Sequence, residues 1–383
     1  MSDPSYDVVI LGSGPVGCVL ALSLARNAVH PERIALMGPD PAPRAPDQAI
    51  DPRALALNHG SRQFLQHLNA WPARAAEVLT VHVSQAGHLG RTVIDQAELG
   101  VPRLGCVVSY DELLESLHAA VQRSGVQRIT ERPPRPAAGR PVTLRLGHGT
   151  VSSRLALVSD GARPQGLHRE YDQAAVLATI RAGQPAPGRA FERFTRTGPL
   201  ALLPHPAGQD LYSLVWCVRP PQATVLAGLP DAAFNQALQN AFGQRLGALR
   251  RLGSAHTFPL SLHAGPSLQG LGTLAVGNAA QTLHPVAGQG LNLGLRDAAQ
   301  LAHMLQPWLA SPDQPLQPLL EHYARRRRLD RGLTLGITDM LPRLFATDNP
   351  LLRHACGLGL AALDLLPALR TPLARHLLQG QRL

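Results

Sequence analysis

The chain contains no lysine, so all 36 of its basic residues are arginine. Set against 26 acidic residues, they give a formal net charge of +10. Selection for a basic binding surface would not exclude lysine so completely, and a bias towards arginine and alanine is the simpler cause. A basic surface of this kind would still favour an anionic lipid or an anionic cofactor.

Aromatic residues are scarce, at 4% of the chain. Without aromatic stacking platforms, finger spacings or RNP-like motifs, nucleic-acid binding is not expected. The four cysteines are scattered without a CxxC pair, so we expect neither a metal site nor a redox dithiol, and a reduced setting fits.

Long apolar runs are also missing. No stretch of about 18 apolar residues occurs, so no transmembrane helix is expected. The first residues carry no basic cluster, and we therefore expect no signal peptide. These absences predict a cytoplasmic protein.

What the chain has is length and periodicity. Its 383 residues, 45% of them hydrophobic, predict a globular protein of two domains. Residues 6–11 form a short apolar run typical of a buried parallel strand, residues 15–26 have helical spacing, and residues 33–37 form a second buried strand. A further helix is predicted over residues 54–68.

A glycine-rich turn joins the first strand to the first helix. Gly12, Gly14 and Gly17 fit GxGxxG in the context that this motif requires, and they predict dinucleotide binding at the helix N-terminus. The motif also predicts an acidic residue at the end of the second strand, where this chain has Gly38. Asp40 follows two residues later, and contact with the ribose and exposure to solvent both remain open for it.

A second, more specific segment, residues 275–297, indicates a flavin. The predicted strand ends at Gly277, and Asn278 can hydrogen-bond a polyol chain. Pro285, Gly288 and Gly290 shape a loop before a helix whose N-terminus would favour negative charge on a reduced flavin. The two segments together predict an FAD site.

These motifs resemble the class A flavoprotein monooxygenases, most closely the ubiquinone-biosynthesis hydroxylases. That family usually has Gly-Asp-Ala-Ala-His where this chain has Gly277-Asn278-Ala279-Ala280-Gln281, and the substitutions resemble the 2-polyprenyl-6-methoxyphenol hydroxylase branch. Further matches lie in residues 80–84, 191–194, 198–204, 213–217 and 323–327. The resemblance extends from about residue 6 to the end.

The resemblance implies an α/β fold. It comprises a Rossmann-like FAD-binding domain of the glutathione-reductase and p-hydroxybenzoate-hydroxylase type, a mostly antiparallel β-sheet substrate domain, and C-terminal helices. The predicted bounds are 1–70, 96–165 and 261–340 for the FAD-binding domain, 71–95 and 166–260 for the substrate domain, and 341–383 for the helical region.

The resemblance also assigns residues. Arg53, in Asp51-Pro52-Arg53, is expected near the flavin, and Asp160 with Gly161 near the pyrophosphate and the path of NAD(P)H. The alternative for Arg53 is a surface arginine, and the alternative for Asp160-Gly161 is an ordinary turn at the end of a strand. The expected cofactor-binding set is Gly12, Gly14, Gly17, Arg53, Asp160, Gly161, Gly277, Asn278, Pro285, Gly288, Gln289, Gly290, Leu291 and Asn292. His284 is the candidate catalytic residue, with a hydrogen-bonded structural histidine as the alternative.

The implied activity is FAD-dependent hydroxylation of a prenylated phenol, with NAD(P)H as reductant and a C4a-hydroperoxyflavin formed from dioxygen. A sister hydroxylase with different or broader regioselectivity stays open, as does a non-catalytic scaffold in a ubiquinone-synthesis complex. Halogenase chemistry is disfavoured, since that subgroup needs a lysine.

The leucine-rich C-terminal region allows three interpretations. Its leucines, flanked by Arg353, Arg370 and Arg375, can pack on the chain's own core, on a partner of a biosynthetic complex, or peripherally on the inner membrane. The leucines concerned are Leu351, Leu352, Leu358, Leu360, Leu363, Leu365, Leu366 and Leu369.

Overall fold

The computed structural model describes residues 4–40, 52–88, 90–132, 134–136, 139–147, 149–161, 166–285, 288–345, 347 and 349–375. Asp51 of the predicted Asp-x-Arg motif, residues 286–287 of the second segment, and residues 376–383 of the predicted helical region lie outside this description.

The first sheet is built on the predicted strand-helix-strand unit. Its strands are β1 (Tyr6–Leu11), β2 (Ile34–Met37), β8 (Gln127–Ile129), β9 (Val142–Leu146), β10 (Gly149–Val158), β16 (Leu268–Gly270) and β17 (Thr273–Ala275). β1 pairs in parallel with β2 and β10, β2 with β8, and β10 with β17, while β9 and β16 are antiparallel edge strands. Val8, Val9 and Ile10 are fully buried, as expected for a parallel strand covered on both faces.

Helices α1 (Pro15–Ala25), α4 (Tyr110–Gln122) and α7 (Gln289–Ala310) share a hydrophobic core with this sheet. α7 starts within the predicted loop-to-helix segment, directly after Gly288. Its contact with α1 brings the two predicted cofactor segments together.

The second sheet has eight strands in the order β18-β15-β11-β14-β13-β12-β5-β6. It is antiparallel except for the parallel pair of β12 with β5, which confirms the mostly antiparallel prediction. The strands are β5 (Thr80–Gln85), β6 (Arg91–Asp95), β11 (Leu167–Ala182), β12 (Arg189–Phe194), β13 (Pro199–His205), β14 (Gly208–Val218), β15 (Leu249–Ala264) and β18 (Gln281–Thr282). Helices α5 (Pro220–Gly228) and α6 (Asp231–Phe242) cover one face.

A third, small sheet corrects the helix predicted over residues 54–68. Residues Ala54–Asn58 form strand β3, and only residues His59–His67 form helix α2. β3 pairs with β7 (Gly105–Ser109), which also pairs with β4 (Ala76–Val78); a short helix α3 (Gln96–Leu99) precedes β7. Asn58 accepts a hydrogen bond from the Ser61 amide, so it is the N-cap that starts α2.

Three helices end the described chain: α8 (Gln317–Phe345), α9 (Pro350–Leu365) and α10 (Pro367–Ala374). α9 packs on β6 so tightly that a Cβ on Gly90 would overlap the carbonyl group of Gly357. The Val93 amide donates to Asp364 over 3.1 Å, and Arg370 on α10 pairs with Glu98 at 2.7 Å. Among the described helices, none is both long and apolar enough to cross a bilayer.

Candidate functional site

A cavity of about 1770 Å³ lies where the two large sheets and the C-terminal helices meet. This volume exceeds the range of about 300–1,000 Å³ typical of a site for one small molecule. Twelve of the predicted cofactor residues line it: Gly12, Gly14, Arg53, Asp160, Gly161, Asn278, Pro285, Gly288, Gln289, Gly290, Leu291 and Asn292. The fold therefore brings the two distant segments onto one space.

The glycine turn packs directly on the turn after β10. Gly12 has a φ of +122°, and a Cβ there would lie 2.6 Å from backbone atoms of Asp160. Gly17 does not line the cavity; its Cβ would meet the Gly12 carbonyl and the Ser159 hydroxyl behind the turn. At Gly14, by contrast, a Cβ would meet nothing within 4 Å, so the backbone there is open to a ligand.

The second segment presents the N-terminus of α7 to the cavity. No described side chain caps this helix, so the positive end of its dipole faces the cavity, where it favours an anion or a carbonyl oxygen. Gly290, like Gly14, opens onto space with nothing within 4 Å. Asn278 is exposed at the cavity, whereas Gly277 lies behind it against Val16.

Asn292 holds the loop in place. Its Oδ1 accepts from the Asn58 amide at 2.9 Å, and its Nδ2 donates to the carbonyl oxygens of Ala56 at 2.8 Å and Gly288 at 2.7 Å. The side chain of this predicted cofactor residue thus ties α7 to β3.

Arg53 lies at the cavity over the ring of Tyr110, with 3.9 Å between its guanidinium carbon and the ring centre. The Tyr110 amide also donates to the Arg53 carbonyl oxygen at 3.1 Å. Such cation–π contact orients the guanidinium group. Tyr110 lines the cavity but has no motif that would have identified it from sequence.

The strand end at Gly38 has no room for the missing acid. A Cβ on Gly38 would lie 2.6 Å from the Ser13 hydroxyl, which donates to the Pro39 carbonyl oxygen at 2.8 Å. Asp40 is paired with Arg128 instead of lining the cavity. The serine of the glycine turn therefore occupies the space where a strand-end carboxylate would sit.

Arg128 also fixes a histidine beneath the glycine turn. Its Nη1 donates to His118 Nδ1 at 3.1 Å, so His118 Nε2 carries the proton and donates to the Ser13 carbonyl oxygen at 2.9 Å. Burial, with Arg128 nearby, lowers the pKa of His118 and favours this neutral form. Asp40, Arg128, His118 and Ser13 form one chain of contacts that supports the turn.

His284, the predicted catalytic residue, lies outside the cavity lining. It is fully buried, and burial lowers its pKa to about 4, so it is neutral near pH 7. Its Nε2 faces Gln173 Oε1 at 3.0 Å, and its ring packs edge-on against Tyr171. Its position does not support an action on substrate or flavin; it favours the structural alternative, in which His284 ties the loop to β11.

A buried ion network joins α7 to α8 and explains Gln281. Gln281 Nε2 donates to Asp297 at 2.6 Å, and Arg327 Nε donates to the same carboxylate at 2.7 Å. Arg296 contacts both oxygens of Asp330, at 3.0 and 3.1 Å, and Arg327 also pairs with Asp330. Burial alone would raise the pKa of Asp330, but Arg296 and Arg327 outweigh it and lower the pKa.

Glu192 is the functional candidate that the motifs do not single out. It lies on β12 and lines the cavity, and burial raises its pKa to about 7. Side chains alternate between the two faces of a strand, so Glu192 shares one face of β12 with Ala190 and Phe194. Phe191, on the other face, packs in the core of the second sheet. This alternation is the sequence signal that could have identified Glu192.

A family model and curated relatives match this chain. The model of a family described as FAD binding domain matches residues 191–331. "Ubiquinone hydroxylase UbiL" of Rhodospirillum rubrum is 32% identical over 98% of this chain and 90% of its own. "3-demethoxyubiquinol 3-hydroxylase" of Escherichia coli is 28% identical over 95% of this chain and 96% of its own.

Among solved structures, p-nitrophenol 4-monooxygenase PnpA from Pseudomonas putida DLL-E4 superposes with a TM-score of 0.76 over all of both chains, at 15% identity. The matched FAD-binding domain and these relatives define the chain as an FAD-dependent monooxygenase, and the superposition agrees with that fold. Within that class, the chain belongs to the family of ubiquinone hydroxylases.

Proposed function

We propose that this enzyme hydroxylates the ring of a 2-polyprenyl-6-methoxyphenol. The observation that carries the proposal is the continuity of one cavity between two chemically different ends. At one end are the glycine turn and the first turn of α7, and at the other are apolar side chains of α8 and α9 such as Phe345, Leu360 and Leu363. A dinucleotide suits the first end and an isoprenoid tail the second.

The open backbone at Gly14 and the N-terminus of α1 are proposed to hold the FAD pyrophosphate. Asn278 would hydrogen-bond the polyol chain, and the N-terminal turn of α7 would face the ring. Arg53 and Asp160 with Gly161 border the same space. Bound FAD, once reduced by NAD(P)H, supplies the activated oxygen from dioxygen.

The protein's own part is positioning and exclusion of water. The phenol ring would lie between the start of α7 and the sheet residues Val81, Val83 and Leu203, all of which line the cavity. Apolar walls on that side remove water from the reacting ring. The tail would then extend between the sheet and α9.

A pair of substitutions on α9 tests the tail assignment. Leu360 is 6% exposed and lines the cavity, whereas Leu358, two residues earlier, is 71% exposed. Leu360→Trp should raise KM for a farnesylated methoxyphenol at least tenfold and leave turnover of tail-free 2-methoxyphenol unchanged. Leu358→Trp should change neither, and equal effects of the two substitutions would contradict the assignment.

The ring position requires product analysis. The purified holoenzyme, given NAD(P)H, dioxygen and the prenylated methoxyphenol, should form a product heavier by one oxygen, whose position NMR defines. The quinone intermediate that accumulates in a deletion strain, identified by mass, gives the same answer in the cell. A hydroxyl at another position supports the sister-hydroxylase alternative. Normal quinone synthesis with a Gly14 variant that no longer binds FAD would support the scaffold alternative.

The outer face of α9 is proposed to rest on an anionic membrane surface. Leu351, Leu358 and Leu365 recur every seven residues and are 80%, 71% and 78% exposed. The inner face of the same helix lines the cavity, so a lipid-soluble tail would enter beside it. A net charge of +10 favours anionic headgroups.

Vesicle co-sedimentation tests this contact. Replacing Leu351, Leu358 and Leu365 by serine should abolish binding to vesicles of phosphatidylglycerol and phosphatidylethanolamine. Serine at Val29, Val225 and Leu271, which are 65%, 62% and 52% exposed on scattered elements, should leave binding intact. Unchanged binding of the α9 variant would reject the membrane contact.

A further inference from the structure

Among the residues that the structure describes, Glu192 is the one acid on the sheet face that lines the cavity. β12 pairs with β5 and β13 so that Glu192 lies beside Val83 on one side and Ala201 on the other, and Ala201 in turn lies beside Val215. Residues in register on neighbouring strands share a face, with Cβ atoms about 5 Å apart. The three neighbours in this row are apolar, and all of them line the cavity with Glu192.

Within the described part of the chain, no hydrogen bond or ion pair of the Glu192 carboxyl is found. Glu192 is partly exposed, and the space it opens onto is the cavity. A carboxyl in an apolar wall is stabilised by a hydrogen-bonding group of a bound ligand. Burial is the cause of its raised pKa, about 7. The carboxyl is therefore part ionised near neutral pH, as a proton acceptor must be.

The other ionisable groups around the cavity stand on different elements. Arg53 and Tyr110 flank β3 and β7, Asp160 follows β10, and Cys356 and Arg370 project from α9 and α10. Cys106 of the small sheet and Arg132 complete the set of ionisable groups in the described lining. Cys217 lies two residues after Val215 on β14 and so shares this sheet face; burial and the charge of Glu192 raise its pKa.

We propose that Glu192 is a catalytic residue that accepts the proton of the substrate's ring hydroxyl during hydroxylation. This inference rests on the proposed function, because it requires a phenol. In the step, the phenol O–H bond breaks, its electron pair stays on oxygen and feeds the ring, and an O–H bond forms on Glu192. The ring carbon would gain a C–O bond as the O–O bond of the oxygen donor breaks, and that bond's electron pair would leave on the departing oxygen, which takes a proton from solvent. The ring C–H proton would then pass through solvent to the ring oxygen, which restores the aromatic phenol. The proton returns to solvent after product leaves.

The relative acidities favour transfer during the reaction and not before it. A phenol with a pKa of about 10 stays protonated beside a carboxylate of this basicity, so the ground state is a hydrogen bond. Attack of an electrophilic oxygen on the ring withdraws electrons and makes the hydroxyl far more acidic. The transfer therefore becomes favourable as the new C–O bond forms, which is the condition for general-base catalysis.

The test compares two probes on two proteins: a geranylated 2-methoxyphenol and its methyl ether, with the wild type and Glu192→Gln. A positioned base contributes about 10²- to 10⁴-fold, so the wild type should convert the phenol at least 100 times faster than the ether. In Glu192→Gln the two rates should become nearly equal. Glu192→Asp should restore part of the preference, and Glu115→Gln, on the exposed face of α4, should behave as wild type.

The pH profile supplies a readout that a merely structural role would not move. The wild-type kcat for the phenol should rise through about pH 7 and level off, because the base must be ionised. Glu192→Gln should lack this rise. A preference for phenol over ether that persists in Glu192→Gln, or an unchanged pH profile, would overturn the proposal.

Binding separates this inference from the proposed function. Both probes can be titrated into the oxidised holoenzyme and followed by the change in flavin absorbance. If the wild type hydroxylates neither probe, the proposed substrate is wrong. A preference for binding the phenol that is present in the wild type and lost in Glu192→Gln would still support the contact; equal binding by both proteins would reject it.

Discussion

Replacing Asp297 by asparagine tests whether the buried ion network holds the second cofactor segment. Asp297 is 2% exposed and is shared by Arg327 and Gln281. Removing one partner of a buried ion pair costs about 3–5 kcal/mol, because the remaining charge stays buried. Arg327 keeps Asp330 as a partner, so we expect a value near the lower limit, about 3 kcal/mol.

The assay is denaturant unfolding of the FAD-bound protein, together with FAD affinity. Loss of the Gln281 contact should also weaken FAD binding, since Gln281 lies three residues after Asn278. Asp313→Asn is the matched control: Asp313 pairs with Arg154 at 2.9 Å but is 86% exposed, so about 0–1 kcal/mol is expected.

A double substitution checks the reasoning itself. Asp297→Asn with Arg327→Met removes both charges, so neither is left buried without its partner, and Asp330 keeps Arg296. The double variant should therefore be more stable than Asp297→Asn alone. A single variant that loses less than about 1 kcal/mol, or a double variant that is less stable than either single one, would refute the assigned role of the network.

Three further predictions concern single positions. Gly38→Asp should weaken FAD binding, because its side chain would clash with Ser13. Adding Ser13→Gly to that variant should restore part of the FAD affinity. Tighter FAD binding by Gly38→Asp alone would contradict a steric clash between positions 38 and 13. His284→Asn should keep kcat within about tenfold, because a general acid or base would be worth about 10²- to 10⁴-fold. Glu192→Gln should match wild-type stability near pH 4.5 and exceed it by up to about 3 kcal/mol above pH 7. The reason is that the Glu192 carboxyl ionises near pH 4.5 in the unfolded chain, whereas burial raises its pKa to about 7 in the folded protein. Each pKa unit of this difference corresponds to about 1.36 kcal/mol of stability. Unfolding at pH 5 and pH 9 measures this difference, and a difference independent of pH would show that the pKa of Glu192 is not raised.

Local patterns were sufficient where the chemistry is local. β1, α1 and β2 follow from apolar runs and a glycine turn. The second segment likewise reads directly as a strand end, a loop and a helix start. Each of these depends on residues adjacent in the chain.

The features that could not be predicted from the sequence depend on contacts between residues far apart in the chain. Residues 54–58 have no helix-breaking residue, yet they form a strand because β7, some fifty residues later, hydrogen-bonds to them. Gln281 looked like a departure from the family until Asp297 supplied its partner. Glu192 could be recognised as a functional candidate only when the structure showed which face of β12 lines the cavity.

The close packing of α9 on β6 has a consequence for the order in which the cavity walls form during synthesis of the chain. On the ribosome, both large sheets and α7 emerge before α9, so the dinucleotide half of the cavity can fold and load while the tail half is still open. Helix α9, which completes the hydrophobic wall, is synthesised later, and its Gly357 packs against Gly90 without room for a side chain at residue 90. Nascent chains that already hold flavin, but lack this wall, should consume NAD(P)H and release hydrogen peroxide instead of hydroxylated product.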